Sequence, residues 1–163
     1  MTSHDAAQAF HAHDHEACAD QALARADEIC AEEGVRLTPV RRRALEILLA
    51  EHRALGAYEV LDGLAESGFG KQPPVAYRAL EFLVDQGLAH RIRRLNAFIA
   101  CTHPGAAHAP VFLICKTCDA VAEAPGDDLR GALDREAASL GFTIERANIE
   151  AVGQCPACGE VAA

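Results

Sequence analysis

The sequence predicts an α+β fold in two parts, a helix-turn-helix with a two-stranded wing followed by a small α/β domain. Three observations predict it. Four stretches with apolar residues at helical spacing come first, and the fourth leads into two short strand-like segments. Farther on, strand patterns surround a single helical stripe. Two Cys-x-x-Cys knuckles, Cys115-Lys116-Thr117-Cys118 and Cys155-Pro156-Ala157-Cys158, bracket that second part.

In chain order, residues 1–19 read as a disordered tail. They carry His4, His11, His13 and His15 among Ala and Asp without periodic large apolar residues. A weak metal-gathering arm is the other reading of those histidines, and Cys18 at the edge of the tail receives no role. From Asp20 to Glu33 the set Leu23, Ala26, Ile29 and Cys30 repeats at helical spacing, with Gly34 placed to end the helix. Cys30 reads as core. Thr38-Pro39 supplies a cap and a proline at the first helical position. The helix that follows buries Val40, Ala44, Leu45, Leu48 and Leu49 and carries Arg41, Arg42 and Arg43 on its outer face. A third helix, Ala57 to Glu66, buries Val60, Leu61 and Leu64. After Gly68-Phe69-Gly70, Pro73-Pro74 opens a fourth with Val75, Ala79, Leu80, Leu83 and Val84, ending at Gly87.

Leu88 to Ile92 and Ala97 to Cys101 read as strands joined through Arg93-Arg94-Leu95-Asn96, which completes a winged-helix domain over residues 20–101. In a helix-turn-helix the second helix presents its N-terminal residues to base edges in the major groove. Here those are Val75, Ala76, Tyr77 and Arg78, with Tyr77 read as packing inward and Arg78 able to donate two hydrogen bonds to guanine. In residues 102–163, Val111 to Ile114, Ala120 to Ala124 and Phe142 to Val152 read as strands. Leu129, Leu133, Ala137 and Leu140 form the helical stripe.

Charge supports a nucleic-acid partner only locally. The net charge is −9, yet residues 34–94 hold 10 basic against 7 acidic side chains, whereas 1–33 hold 1 against 8 and 95–163 hold 4 against 9. Concentrated cations on an acidic chain suit phosphate contacts, with Arg41, Arg42, Lys71 and the wing as donors. A merely solvated face is the competing reading. No apolar run approaches the roughly 20 residues that cross a bilayer, and the start Met-Thr-Ser-His-Asp has no apolar signal segment, so a cytoplasmic location is expected.

The knuckles present four thiolates as two pairs, which suits a closed tetrahedral zinc site. A redox pair or buried inert thiols are the alternatives; the strand pattern before Cys115 and the turn at Asp119-Ala120 disfavour a redox cysteine at a helix start. The interval exceeds the usual zinc-ribbon spacing of about 15 to 20 residues, so the knuckles clamp a folded insert. A second constellation, His90, Cys101, His108 and Glu123, sits where the two parts meet. A thiolate with two imidazoles favours zinc over iron(II) or manganese(II). Each residue also has a plain reading as surface histidine, buried thiol or solvated glutamate, and His103 is a substitute ligand.

Arg36-Leu-Thr-Pro-Val-Arg41, Ala57-Tyr-Glu59, Pro73-Pro-Val-Ala-Tyr-Arg78-Ala-Leu80 and the two knuckles, in that order, resemble the ferric-uptake-regulator superfamily, most closely its zinc-sensing branch. The resemblance spans about residues 20–160. It implies a winged-helix domain hinged to a dimerisation domain over 102–163, and a homodimer reading palindromic operator DNA. It also implies structural zinc on Cys115, Cys118, Cys155 and Cys158, sensory zinc on His90, Cys101, His108 and Glu123, and DNA contacts from Tyr58 and Arg78. Two departures stand out. Val75-Ala76 replaces the Thr-Val that usually precedes the Tyr-Arg pair, and the His-His-Asp-His string of iron sensors is absent before Cys115. The expectation is a zinc-responsive repressor with two zinc ions per chain and no membrane association. No nucleophile and base pair stands out, so neither an enzyme nor a small-molecule substrate is expected. The alternatives are an iron, manganese or peroxide sensor of the same superfamily, or a zinc-buffering module that does not bind DNA.

Overall fold

The computed structural model describes residues 10, 15–51, 53–106 and 108–159. These fall into two compact units, one running from the first helix to Ala106 and one from His108 onward. The histidines at 4, 11 and 13 lie outside the described residues.

The N-terminal unit has four helices, α1 (His15–Glu32), α2 (Pro39–Leu49), α3 (Ala57–Glu66) and α4 (Pro73–Asp85), then an antiparallel hairpin of β1 (Ala89–Ile92) and β2 (Ala97–Ala100). α1 starts at His15, so residues 15–19, expected in the tail, are helical. Ala17, Ala19 and Ala22 are strong helix formers and extend the helix ahead of its first buried residue. Thr38 stands at the head of α2 in an extended conformation, but its side chain makes no cap bond. The backbone closes the first turn, with the Arg42 amide donating to the Thr38 carbonyl at 2.9 Å. The core joins all these elements through Ala26, Cys30, Leu45, Leu48, Val60, Leu64, Leu80, Leu83, Leu88 and Phe98. α2 and α3 approach closely where a Cβ on Gly63 would come within 2.8 Å of Ile47 Cδ1.

Between α3 and α4 the chain reverses at Gly68, whose φ of +85° lies in the left-handed region that favours glycine. Leu55 pairs with Phe98 through two backbone hydrogen bonds of 2.8 Å, a single antiparallel bridge that ties the α2-α3 connection to the hairpin. The wing turn is held by Asn96 at φ +47° and by Arg91 Nη2 donating to Asn96 Oδ1 at 2.8 Å.

The C-terminal unit is a three-stranded sheet of order β4-β3-β5, made by β3 (Pro110–Cys115), β4 (Val121–Pro125) and β5 (Ile149–Gly153), with α5 (Asp127–Ser139) in the crossover and a single turn, α6 (Pro156–Gly159), at the end. β3 pairs antiparallel with β4 and parallel with β5. Gly126 sits under the start of α5, where a Cβ would come within 2.5 Å of both the Ala109 carbonyl and Val111 Cγ2. The strand expected from Phe142 to Val152 is shorter, because only Ile149–Gly153 pairs with β3. Gly141 turns the chain at φ +70°, and the polar stretch around Glu145, Arg146 and Asn148 stays exposed. The α5 stripe is not core either: Ala137 is buried, whereas Leu129, Leu133 and Leu140 are 54%, 42% and 79% exposed.

Candidate functional site

Parallel pairing brings the two knuckles together. Cys115 ends β3 opposite Gly153 of β5, and the Lys116 amide donates to the Gly153 carbonyl at 2.9 Å, so the chain after β5 emerges beside the first knuckle. Asp119, at φ +59°, folds the first knuckle back, with the Cys115 amide donating to the Ala120 carbonyl at 2.9 Å. The single turn α6 folds the second, with the Cys158 amide on the Cys155 carbonyl at 3.1 Å. The four sulfurs lie within 4.8 Å of one another. Cys118 Sγ and Cys155 Sγ are 3.8 Å apart, the separation that two sulfurs each about 2.3 Å from a tetrahedral zinc adopt.

The electrostatics fit a cation at that point. The backbone amides of Cys155, Cys118 and Thr117 pull the Cys115 thiol down to about 6. The neighbouring thiols of Cys155 and Cys118 push Cys158 up to about 12. Four sulfurs this close cannot all ionise unless a cation sits among them, and a divalent metal supplies that charge while displacing their protons.

The second set divides between the units, and each unit builds its own pair. In the N-terminal unit, His90 pairs with Ile99 across the hairpin, and Cys101 follows Ile99 by two residues. By strand alternation His90, Ile99 and Cys101 share one face of the ribbon, while Ala89, Phe98 and Ala100 turn to the helical core. The Cys101 amide donates to the Leu88 carbonyl at 2.9 Å, which fixes the thiol at the strand end. In the C-terminal unit, Glu123 lies on β4 opposite Phe112, and its Oε1 is 2.7 Å from His108 Nε2. Glu123 is the one buried charged side chain among the described residues, at 6% exposure. A carboxylate removed from water calls for a cation or close hydrogen-bond donors. His103, the substitute ligand, is exposed, with Nδ1 2.9 Å from Thr102 Oγ1. Of the two loop histidines, His108 is therefore the one placed beside Glu123.

On the outer face of α4, Tyr77 and Arg78 are both exposed, while Ala76 is buried and Val75 packs against the core. Tyr77 therefore does not pack inward. It lies one residue beyond Ala76 on the helix and points away from the core, 42% exposed. Tyr58 stands on the first turn of α3 at 64% exposure, and Lys71 is exposed in the link before α4. Among the described residues, the side chains of Arg78 and Lys71 make no hydrogen bond or ion pair. Tyr58, Tyr77, Glu81 and Arg91 line a groove of about 390 Å³ between α3, α4 and the hairpin.

The α2 arginines, expected on an outer face, each have a partner within the unit. Arg42 Nη1 donates to both Asp27 carboxylate oxygens at 2.9 and 2.7 Å. Arg43 donates to Ser67 Oγ at 2.8 Å and to Glu46 at 3.0 Å. Arg41 lies over the Phe82 ring, 3.7 Å from its centroid. Helical periodicity places these three on the outside, and Arg42 and Arg43 are indeed 39% and 42% exposed there, while neighbouring elements supply acceptors and a ring for all three. The role of Phe82 was missed in the sequence, where its one signal is a position four residues after Arg78, on the same side of α4.

No family model matches the chain. The zinc uptake regulation protein of Escherichia coli (strain K12) is 38% identical to it over 142 residues, 86% of this chain and 83% of that protein. A zinc uptake regulator solved in complex with zinc and DNA superimposes with a TM-score of 0.84 at 36% identity, over 88% of this chain and 97% of that one. Holo XcZur superimposes with a TM-score of 0.79 at 35% identity, over 86% and 99%. With that identity across most of both sequences, and a four-cysteine cluster of zinc geometry, the chain belongs to the family of zinc uptake regulators.

Proposed function

We infer that the protein is a zinc-responsive, DNA-binding transcriptional repressor of zinc-uptake genes that works in the cytoplasm as a homodimer. It is not an enzyme. The observation that carries this reading is the double use of one hairpin. The β1-β2 ribbon packs one face into the helical core beside α4 and carries His90 and Cys101 on the other. A ligand held on that face acts directly on the element that frames the DNA-reading helix.

Cys115, Cys118, Cys155 and Cys158 hold the structural zinc, and His90, Cys101, His108 and Glu123 hold the regulatory one. When bound, the regulatory ion would supply a positive charge that these side chains hold in place of their protons. The chain's own residues do the rest. Glu123 and His108 present one oxygen and one nitrogen already close together, and the β1-β2 register holds His90 and Cys101 on one face. Arg78 reads a base edge, and Tyr58 and Lys71 bind the DNA backbone beside it. A two-fold dimer matches a palindromic operator. The exposed apolar side chains Leu129, Leu133, Leu140, Phe142 and Val152 of the C-terminal unit supply the surface for that pairing.

The test is DNA binding by protein that keeps its structural zinc, titrated separately with zinc, iron(II) and manganese(II) on promoters of candidate metal-transport genes. Tight, salt-sensitive binding only with zinc is expected. Activation by iron or manganese moves the protein to another sensing class, and no binding with any metal leaves a zinc-buffering module. Arg78→Ala is expected to cost about 1 to 3 kcal/mol of operator affinity at unchanged zinc content.

A further inference from the structure

Arg41 closes the Arg36-Leu-Thr-Pro-Val-Arg41 stretch, and its side chain connects three elements. Its guanidinium lies over the ring of Phe82 on α4, 3.7 Å from the centroid. Its Nη1 donates to the Arg36 carbonyl in the α1-α2 connection at 2.7 Å. Burial and Asp27 push the Cys30 thiol of α1 up and the Arg41 charge opposes them, so the guanidinium lies near α1 as well. Phe82 is half-buried against the helical core and sits one turn beyond Arg78. Arg42 and Arg43 are engaged at the surface beside it, on Asp27, Glu46 and Ser67.

A guanidinium centred this closely over a ring face is held by the ring's quadrupole, and its planar fork keeps the carbonyl bond in a fixed direction. Together the two contacts constrain where α4 can sit against α2. With a helix radius of roughly 5 to 6 Å including side chains, a rotation of about 10° about the axis moves a side-chain tip by about 1 Å. That displacement takes a base-edge hydrogen bond out of its working range.

We propose that Arg41 is a positioning residue for operator reading: through Phe82 and the Arg36 carbonyl it sets the rotation of α4 and hence the point that Arg78 reaches, and it does not contact phosphate. This rests on the DNA-reading function inferred above. Lysine at position 41 keeps the charge and loses the stacked plane and the fork, so it separates the two roles. A phosphate contact survives that exchange, whereas positioning does not.

The experiment compares zinc-loaded wild type, Arg41→Lys, Phe82→Leu and the double variant. It measures affinity for operator and for scrambled duplex over a salt series, with melting temperature and zinc content recorded for each protein. Arg41→Lys and Phe82→Leu are each expected to lower the operator-to-scrambled ratio by roughly 5- to 10-fold. Scrambled-duplex affinity and salt slope stay unchanged, and the double variant is no worse than the weaker single. A fold merely loosened lowers both affinities together and leaves the ratio where it was, which overturns the proposal.

An Arg41→Gln variant whose salt slope drops by about 0.9, with both affinities falling, identifies a phosphate contact instead. Additive losses in the double variant also overturn the proposal, because Arg41 would then not act through Phe82. If Arg41→Lys does not fold, the ratio measured for Phe82→Leu decides alone. Wild type that binds both duplexes equally removes operator reading itself, and the role of Arg41 with it. Wild-type discrimination with unaffected variants removes only the assignment of Arg41.

Discussion

The two units are held together by different means. In the unit ending at Ala106, four helices and a hairpin share one apolar core in which Leu48, Val60, Leu64, Leu80 and Leu83 are essentially inaccessible. In the unit from His108 onward the sheet buries only a few strand residues, Val111, Phe112, Ile114, Val121 and Ala122, and the largest apolar side chains of its helix and loops face outward. A unit this small rarely finds enough core of its own and needs a metal or a partner. Here four sulfurs stand together with zinc geometry, and Leu129, Leu133 and Leu140 are left uncovered. The helical unit thus carries the core to keep its shape alone, and the sheet unit is the one expected to depend on what it binds.

Removing the structural metal is the severest way to break that contrast. Apparent binding free energies of structural zinc run about 10 to 16 kcal/mol. Cys115→Ser, or chelation of the wild type, is therefore expected to abolish amide-exchange protection in β3, β4 and β5 while α2, α3 and α4 keep theirs. Region-resolved hydrogen exchange reads this directly, and simultaneous loss in both units would show that they do not fold independently. Next in size, Leu80→Ala removes a side chain with no exposure and should cost about 2 to 5 kcal/mol. Its melting transition is expected to fall in the helical unit, with the zinc content at the knuckles unchanged.

Cys101→Ser sharpens the comparison by separating holding from sensing. The variant should retain structural zinc and lose the zinc dependence of operator binding, a coupling of about 1 to 3 kcal/mol. Retained zinc response in a titration with a fluorescent operator would remove Cys101 from the sensor. The smallest effect belongs to Glu59. The Gly56 amide, and then the Arg53 guanidinium, hold its carboxyl below the usual carboxylate range. A depressed folded value means that its stabilisation is present above the unfolded value and is lost as pH falls through the folded one. The side chain is 49% exposed, so after solvent screening the gain is at most about 0.5 kcal/mol. Glu59→Gln should lower the melting temperature slightly near neutral pH and leave it unchanged in acid, which flattens the acid side of the curve.

Much of this architecture was legible in the chain because it rests on local periodicity. The α2 stripe of Ala44, Leu45 and Leu48, the launch of α4 at Pro73 and the wing around Arg93-Arg94 are short-range patterns, and each appears where spacing put it. The Cys-x-x-Cys spacing announced the metal site because two thiolates three residues apart already form half a tetrahedron. Reading failed where the outcome depended on a distant neighbour. The stripe Leu129, Leu133 and Leu140 has helical spacing yet faces solvent, since spacing reports which residues share a side and not what covers it. The span from Phe142 to Val152 has strand composition, but only Ile149–Gly153 finds an edge of β3 to pair with.

The sequence by itself determined the helix order, the hairpin, the knuckles and the family, all of which depend on residues close in the chain or on motifs in a fixed order. Tertiary structure decided three further points. The parallel β3-β5 register brings Cys115 and Cys155 to one end of the sheet, from residues 40 apart in the chain. It also decided that His108 rather than His103 stands against Glu123, because such a contact depends on where a strand and a loop meet in space. Finally, it set Arg41 over Phe82 and paired Arg42 and Arg43, at the surface, with Asp27, Glu46 and Ser67. A cation's partner is set by the nearest carboxylate, carbonyl or ring once the helices have packed, and no pattern along the chain encodes that distance.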